Sequence, residues 1–197
     1  MKPEMITLKH GDTTIKMPAS SLAKLAVASV FAQVLPPAAN VQPIAQTDTP
    51  AVGQPWPGQG GINGGFVPAI GDVPAHYLIL ADSDVGEHEW GGRNTESKAI
   101  SRHDGKANTD ILIAEGGHPA AEAARAYRAN GHNDFDLPAA SQLYQAWVHG
   151  LITEGAYWSS SQRSALTAFD MDFDDGSQDS TGKLYELRVR PVRRYFI

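Results

Sequence analysis

The sequence predicts an α+β fold, and three observations carry that expectation. Strand patterns open the larger part of the chain at 62–68 and 76–81. Two helical segments follow, at 118–130 and 141–149. Strand patterns then return from Tyr157 to the C-terminus. Strands, then helices, then strands in blocks do not make the alternating units of a parallel sheet.

Met5-Ile6-Thr7-Leu8, a turn at His10-Gly11-Asp12, and Thr13 to Met17 alternate as a short β-hairpin. Pro18 ends that pattern, and Ser20 or Ser21 can cap a helix running to Leu35, where Pro36-Pro37 stops it. Leu22, Leu25, Val27, Val30, Phe31, Val34 and Leu35 surround most of this helix. A helix apolar nearly all round has to be buried, and so short a segment cannot cover it alone. Residues 1–35 are therefore expected to dock or oligomerise, with Leu22, Leu25, Val30, Phe31 and Val34 as the contact residues. The competing readings are a fold-back onto the main domain or a secretory signal core. At 16 residues the apolar run is shorter than the about 20 that span a bilayer. Residues 36–61, rich in Pro, Gly, Ala and Gln, read as a semi-extended linker merging into a domain at 53–197.

Within that domain a turn at Gly71-Asp72 joins the first two strands. Residues 82–117 read as a long irregular excursion, broken only by Ile111-Leu112-Ile113. Pro119 in a first turn, an Ala-rich interior and Gly131 bracket the helix over 118–130. Ser141 to His149, with Leu143 and Trp147 on one face and Gly150 after it, reads as the next helix. Strands are expected at 157–160, 167–174 and 184–192, with a turn at Asp175-Gly176.

The composition narrows the function classes. Of 197 residues 42% are apolar, enough for a core, and the net charge of −6 lacks the basic excess of a general nucleic-acid binder. With no Cys there is no disulfide framework, thiolate metal site or Cys nucleophile.

The segments DFDLPAASQL (134–143), AYWSSSQRSALTAFDMDFDDG (156–176) and LRVRPVRR (187–194) resemble the Lcl C-terminal-type domain family, with its DWxLPxxxEL, YWSST and VRxVR patterns in the same order. GQPWPGQGGINGGF (53–66) and HYLILA (76–81) resemble the opening strands of phage members, so the likeness spans 53–197. Phe135, Gln142 and Phe169 stand where the family usually has Trp, Glu and Trp. The resemblance implies a C-type-lectin-like domain, two helices with a twisted antiparallel sheet, behind the N-terminal hairpin and apolar helix. It implies a non-catalytic virion component, of tail, fibre or baseplate type, that recognises a host-surface polysaccharide or protein and contacts other virion proteins. Self-association as a homotrimer is expected from the apolar helix and from the habits of phage fibres. A purely structural virion decoration or assembly protein and a bacterial surface adhesin are the alternatives. The related formylglycine-generating scaffold works through Cys, which this chain lacks.

Several constellations carry competing meanings. Asp170, Asp172 and Asp174 alternate with Phe169, Met171 and Phe173, so on a strand the carboxylates share a face about 6.6–7 Å apart. Calcium is one reading, but Gly176 and Thr181 do not fit an EF-hand loop. The preferred reading is a structural ladder to Arg188 and Arg190 across a hairpin, with no metal or other cofactor. Ser159, Ser160 and Ser161 lack a nucleophile elbow, and the seven His show no metal spacing, so no catalytic residue is expected. No E-P-N or Q-P-D and W-N-D triplets of calcium-dependent sugar binding occur, leaving exposed Trp such as Trp56, Trp90 or Trp147 as sugar contacts. Trp90, Arg93, Asn94, Arg102 and His103, in the irregular excursion, are the expected ligand contacts.

Overall fold

The computed structural model describes residues 4–10, 13–21 and 49–196. The chain divides into two compact units, Met1–Asp48 and Thr49–Ile197. In the first, β1 (Met5–His10) pairs antiparallel with β2 (Thr13–Pro18), Met5 opposite Pro18. Residues 19–21 are helical, and the Ala19 N–H donates to the Glu4 carbonyl at 2.9 Å. The expected docking residues Leu22, Leu25, Val30, Phe31 and Val34 lie outside the described residues, as does residue range 36–48 of the expected linker.

The second unit is α+β. One sheet holds β3 (Pro55–Trp56), β4 (Gly61–Val67), β5 (His76–Ala81) and β11 (Val192–Tyr195) in the antiparallel order β11-β5-β4-β3. The opening and closing strands of this unit thus share a sheet. Residues 49–61 are not linker but part of this body. Trp56 is buried between Tyr77 and Tyr195, with ring centroids 5.3 and 4.9 Å away, and the Asn63 amide donates to the Pro50 carbonyl at 2.6 Å. Burying an indole and satisfying an internal amide are what tie a Pro/Gly-rich stretch down.

The other sheet has the order β6-β10-β7-β8-β9, comprising β6 (Glu87–Glu89), β7 (Ala156–Gln162), β8 (Thr167–Asp172), β9 (Gln178–Gly182) and β10 (Glu186–Arg188). β10 meets β7 at one pair, Arg188 with Tyr157. Alternation along central β7 builds two cores, one on each face. Tyr157 joins Leu78, Leu80, Leu143, Met171 and Phe173, while Trp158 joins Trp90, Leu112, Ala124, Leu137 and Val189. Three helices supply the covering residues: α1 (Gly105–Glu115) and α2 (Pro119–Ala126) on the Trp158 side, α3 (Ala140–Val148) on the Tyr157 side.

Three expectations are corrected. The excursion 82–117 contains α1, whose buried positions Gly105, Asn108, Thr109 and Leu112 keep helical spacing but mostly lack apolar side chains. Asn108 and Thr109 are instead hydrogen-bonded internally, to Ser101 and to Gly105 and Leu137. The helix expected over 118–130 stops at Ala126, and Asn130 and Gly131 form a turn with φ of 47° and 82°. The strand expected over 184–192 is two pieces, β10 and the start of β11, which lie in different sheets.

Candidate functional site

Three connecting segments converge where β7 ends, β8 begins and β9 ends: residues 90–97, 163–166 and 183–185. Their backbones are joined directly. Lys183 N–H donates to the Leu166 carbonyl (3.0 Å), Gly91 N–H to the Lys183 carbonyl (3.1 Å) and Asn94 N–H to the Ala165 carbonyl (2.9 Å). The Gly91-Gly92 pair lets the first segment pass: a Cβ on Gly91 would lie 2.1 Å from the Gly117 oxygen, and one on Gly92 would lie 2.5 Å from the His118 ring.

Beneath the surface, Lys183 is fully buried. Its Nζ donates to Gln162 Oε1 (2.7 Å) and to the carbonyls of Thr95 (2.9 Å) and Gly92 (3.3 Å), and it lies 4.6 Å from the centroid of the Trp90 ring. Burial lowers the pKa of its ammonium group, opposed by the charges of Glu96 and Glu115. Gln162 completes the hub: Oε1 accepts from Ser97 N–H at 2.7 Å, and Nε2 donates to Glu96 at 2.7 Å. A buried cation whose donors are used by loop carbonyls rigidifies those loops. Arg93, Leu166, Thr167, Gly182, Leu184 and Tyr185, with Lys183 itself, line a cavity of about 260 Å³. Leu166, Leu184 and Tyr185 are 49%, 49% and 66% exposed. The arrangement offers apolar and aromatic surface beside one guanidinium on a preorganised base.

The five expected ligand contacts separate. Arg93 and Asn94 are exposed at this surface, Asn94 in the left-handed region at φ 67°. Trp90 is corrected: it is 1% exposed, its indole N–H donates to the Ser159 carbonyl at 2.8 Å, and His118 meets it edge-on at 4.9 Å. It is a floor residue and cannot touch a ligand. Arg102 lies outside the cavity, 4.5 Å over the half-buried Phe169 ring, and His103 contacts Ser141 Oγ at 3.3 Å. Lys183, Leu166, Leu184 and Tyr185 were missed. Large apolar residues inside turn segments, as in Lys183-Leu184-Tyr185, are the signal that could have found them.

The ladder of Asp170, Asp172 and Asp174 with Arg188 and Arg190 is also corrected, because β8 pairs with β7 and β9, never with β10. Arg188 instead lies 3.9 Å from both Glu87 and Glu154, and Arg190 pairs with Asp84. Asp172 accepts the Asp174 N–H (2.9 Å), and Asp174 accepts the Gly155 N–H (3.2 Å). Asp170 is 6% exposed, and its Oδ1 has no hydrogen-bond partner. Burial pushes its carboxyl up to about 6. The three aspartates are not gathered into a group suited to a cation. Arg188, Arg190, Asp84, Glu154 and Tyr157 line a second, polar cleft of about 240 Å³, where the Tyr157 hydroxyl donates to Asp84 at 2.9 Å.

The serine run is structural. Ser159, Ser160 and Ser161 are fully buried, and the hydroxyls of Ser159 and Ser161 donate to the carbonyls of Phe169 (2.6 Å) and Ser101 (2.7 Å). Phe135 and Gln142, two departures from the family pattern, are buried, Gln142 accepting the Ala139 N–H at 2.8 Å. No helix among the described residues is long and apolar enough to cross a membrane. No protein-family model matches the chain, and no curated protein matches it.

Proposed function

We propose that this chain is a non-catalytic component of a phage virion whose C-type-lectin-like body recognises a host-surface polysaccharide or protein. The observation that carries the recognition half is the loop-end surface, where Arg93, Leu166, Leu184 and Tyr185 stand exposed over the buried Lys183 hub. Loops fixed on a rigid sheet are the usual recognition elements, and exposed Tyr and Arg are the residues that dominate binding energy. The virion half, and the lectin-like form of the body, rest on the sequence resemblance of 134–143, 156–176 and 187–194. The shared sheet of opening and closing strands and the two helix-covered core faces agree with that reading. The apolar segment 20–35 is the proposed mooring, to itself as a homotrimer and to other virion proteins, so that three weak sites act together.

The test has two arms. Mass spectrometry of purified particles is expected to find the chain, and labelled full-length chain is expected to bind host cells and compete with phage adsorption. The double variant Arg93→Ala/Tyr185→Ala, with an unchanged unfolding midpoint, is expected to lose cell binding by about tenfold or more. Absence from particles sinks the virion reading. Undiminished binding by the double variant sinks the loop-end surface as the recognition site. Incorporation into particles without any cell binding favours a purely structural decoration.

A further inference from the structure

The four tryptophans of the chain are not alike. Trp56, Trp90 and Trp158 are 5%, 1% and 0% exposed, whereas Trp147 is 37% exposed. Trp147 does not stand alone: Tyr144, one helical turn before it on α3, is 47% exposed, and the two rings stack with their planes inclined at 27° and centroids 5.9 Å apart. The pair is held in place rather than free. The indole packs against the turn between β8 and β9, where a Cβ on Gly176 would come within 2.2 Å of the ring, and Gly176 has a φ of 81° that disfavours any other residue. That turn brings Asp174 and Asp175, both exposed, to the rim. Each uses one oxygen on a backbone N–H, of Gly155 (3.2 Å) and Ser177 (2.9 Å), leaving Oδ2 as a fixed acceptor.

From this geometry we propose that Tyr144 and Trp147 form a stacking platform for a neutral saccharide chain, with Asp174 and Asp175 accepting from its hydroxyls. The ring faces carry negative quadrupole density, which the C–H face of a pyranose complements. The flanking carboxylates repel acidic glycans and accept hydrogen bonds from hydroxyl groups. The apolar stripe holds three exposed side chains, Tyr144, Trp147 and Val148, against the about 20–30 residues a side of a stable protein interface, so a second copy or another protein is the poorer occupant. Val148 at the next helical step widens the stripe without adding an acceptor. This site is separate from the loop-end surface, and shares no residue with it.

The experiment uses the full chain in affinity electrophoresis through gels containing dextran, hydroxyethylcellulose, yeast mannan or polygalacturonate, together with tryptophan emission. Trp147 is the solvent-exposed tryptophan, so occupation of the platform is expected to blue-shift emission and to protect it from acrylamide quenching. Retardation by at least one of the three neutral polymers, lost about tenfold or more in Tyr144→Ala, is the expected result. Tyr144 is half exposed, so this variant is expected to fold, which its unfolding midpoint checks; Trp147→Phe, which retains a ring, is expected to keep part of the binding. Retardation only by polygalacturonate, retardation indifferent to Tyr144→Ala, or no retardation by any polymer overturns the proposal. So does self-association, seen in sedimentation, that disappears in Tyr144→Ala. Arg93→Ala/Tyr185→Ala is expected to leave the platform binding intact, so failure of either site is read separately.

Discussion

Asp170 carries a buried carboxylate whose burial no cation offsets. It faces Asp179 across β9 and Trp158 across β7, with Asp172 nearby, and only Thr181 favours its charged form. Its pKa is raised from 3.8 to about 6, so the folded chain holds this proton more tightly than the unfolded chain does. The stabilisation is complete below about pH 4 and is lost as pH rises through about 6, above which the buried charge is a standing cost. Asp170→Asn is accordingly expected to stabilise the protein by about 1–3 kcal/mol at pH 8, with the gain vanishing near pH 4, in urea unfolding. Equal stability at pH 8 overturns this account. Comparison with the parent chain at each pH matters, because Asp136 is also pushed up to about 6 by burial despite Arg125, while the Lys106 and Arg125 bonds hold Asp110 below the usual carboxylate range. The alternation of Asp170, Asp172 and Asp174 was legible along the chain, but its partner strand was not. Nothing local to Arg188 and Arg190 says that β7 lies between β10 and β8, and the acids and bases that look complementary in sequence end in different places.

At the scale of elements, α1 shows what periodicity reads and what it misses. Its inner face is made of Gly105, Asn108, Thr109 and Leu112, so the helical repeat is present without an apolar stripe. What starts this helix is a cap: Asp104 Oδ1 accepts the Ala107 N–H at 2.8 Å, and the same carboxylate pairs with Arg194 from β11. Removing both roles in Asp104→Ala is expected to cost about 2–4 kcal/mol, measured by denaturant unfolding. Asp104→Asn keeps a capping oxygen and loses the charge, so it is expected to fall between the two. A loss no larger than that of a typical surface substitution, in both variants, would show that neither role matters. By contrast α2 and α3 announce themselves, the first by Pro119 at its start, the second by Leu143 on its buried face. β4 and β5 are equally legible because their turn residues and apolar runs are local. The strand at β10 is legible as well, but its partner is not, since β6 lies nearly one hundred residues earlier in the chain.

At the scale of the molecule, the described residues of both cores belong to the unit Thr49–Ile197. A chain of residues 49–197 is therefore expected to unfold in one cooperative transition, with a midpoint within about 4 °C of the full chain in calorimetry. A broadened or strongly lowered transition would show that residues 1–48 complete the body. The same truncation is expected to abolish self-association in sedimentation if segment 20–35 is the mooring. Persistence of the oligomer would move the assembly surface onto the body.

By itself the sequence determined the α+β class, most of the strands and the two helices marked by local punctuation, because these depend on side-chain periodicity and turn chemistry within a dozen residues. It also placed Arg93 and Asn94 in a polar loop, where both are exposed. Only the tertiary structure decided which tryptophans are buried and which is exposed, where Lys183 spends its charge, and which carboxylate goes unpaired. Those outcomes depend on strand order and on burial summed over segments far apart in the chain. An indole has the same composition whether a sheet covers it or a glycine turn holds it open to water.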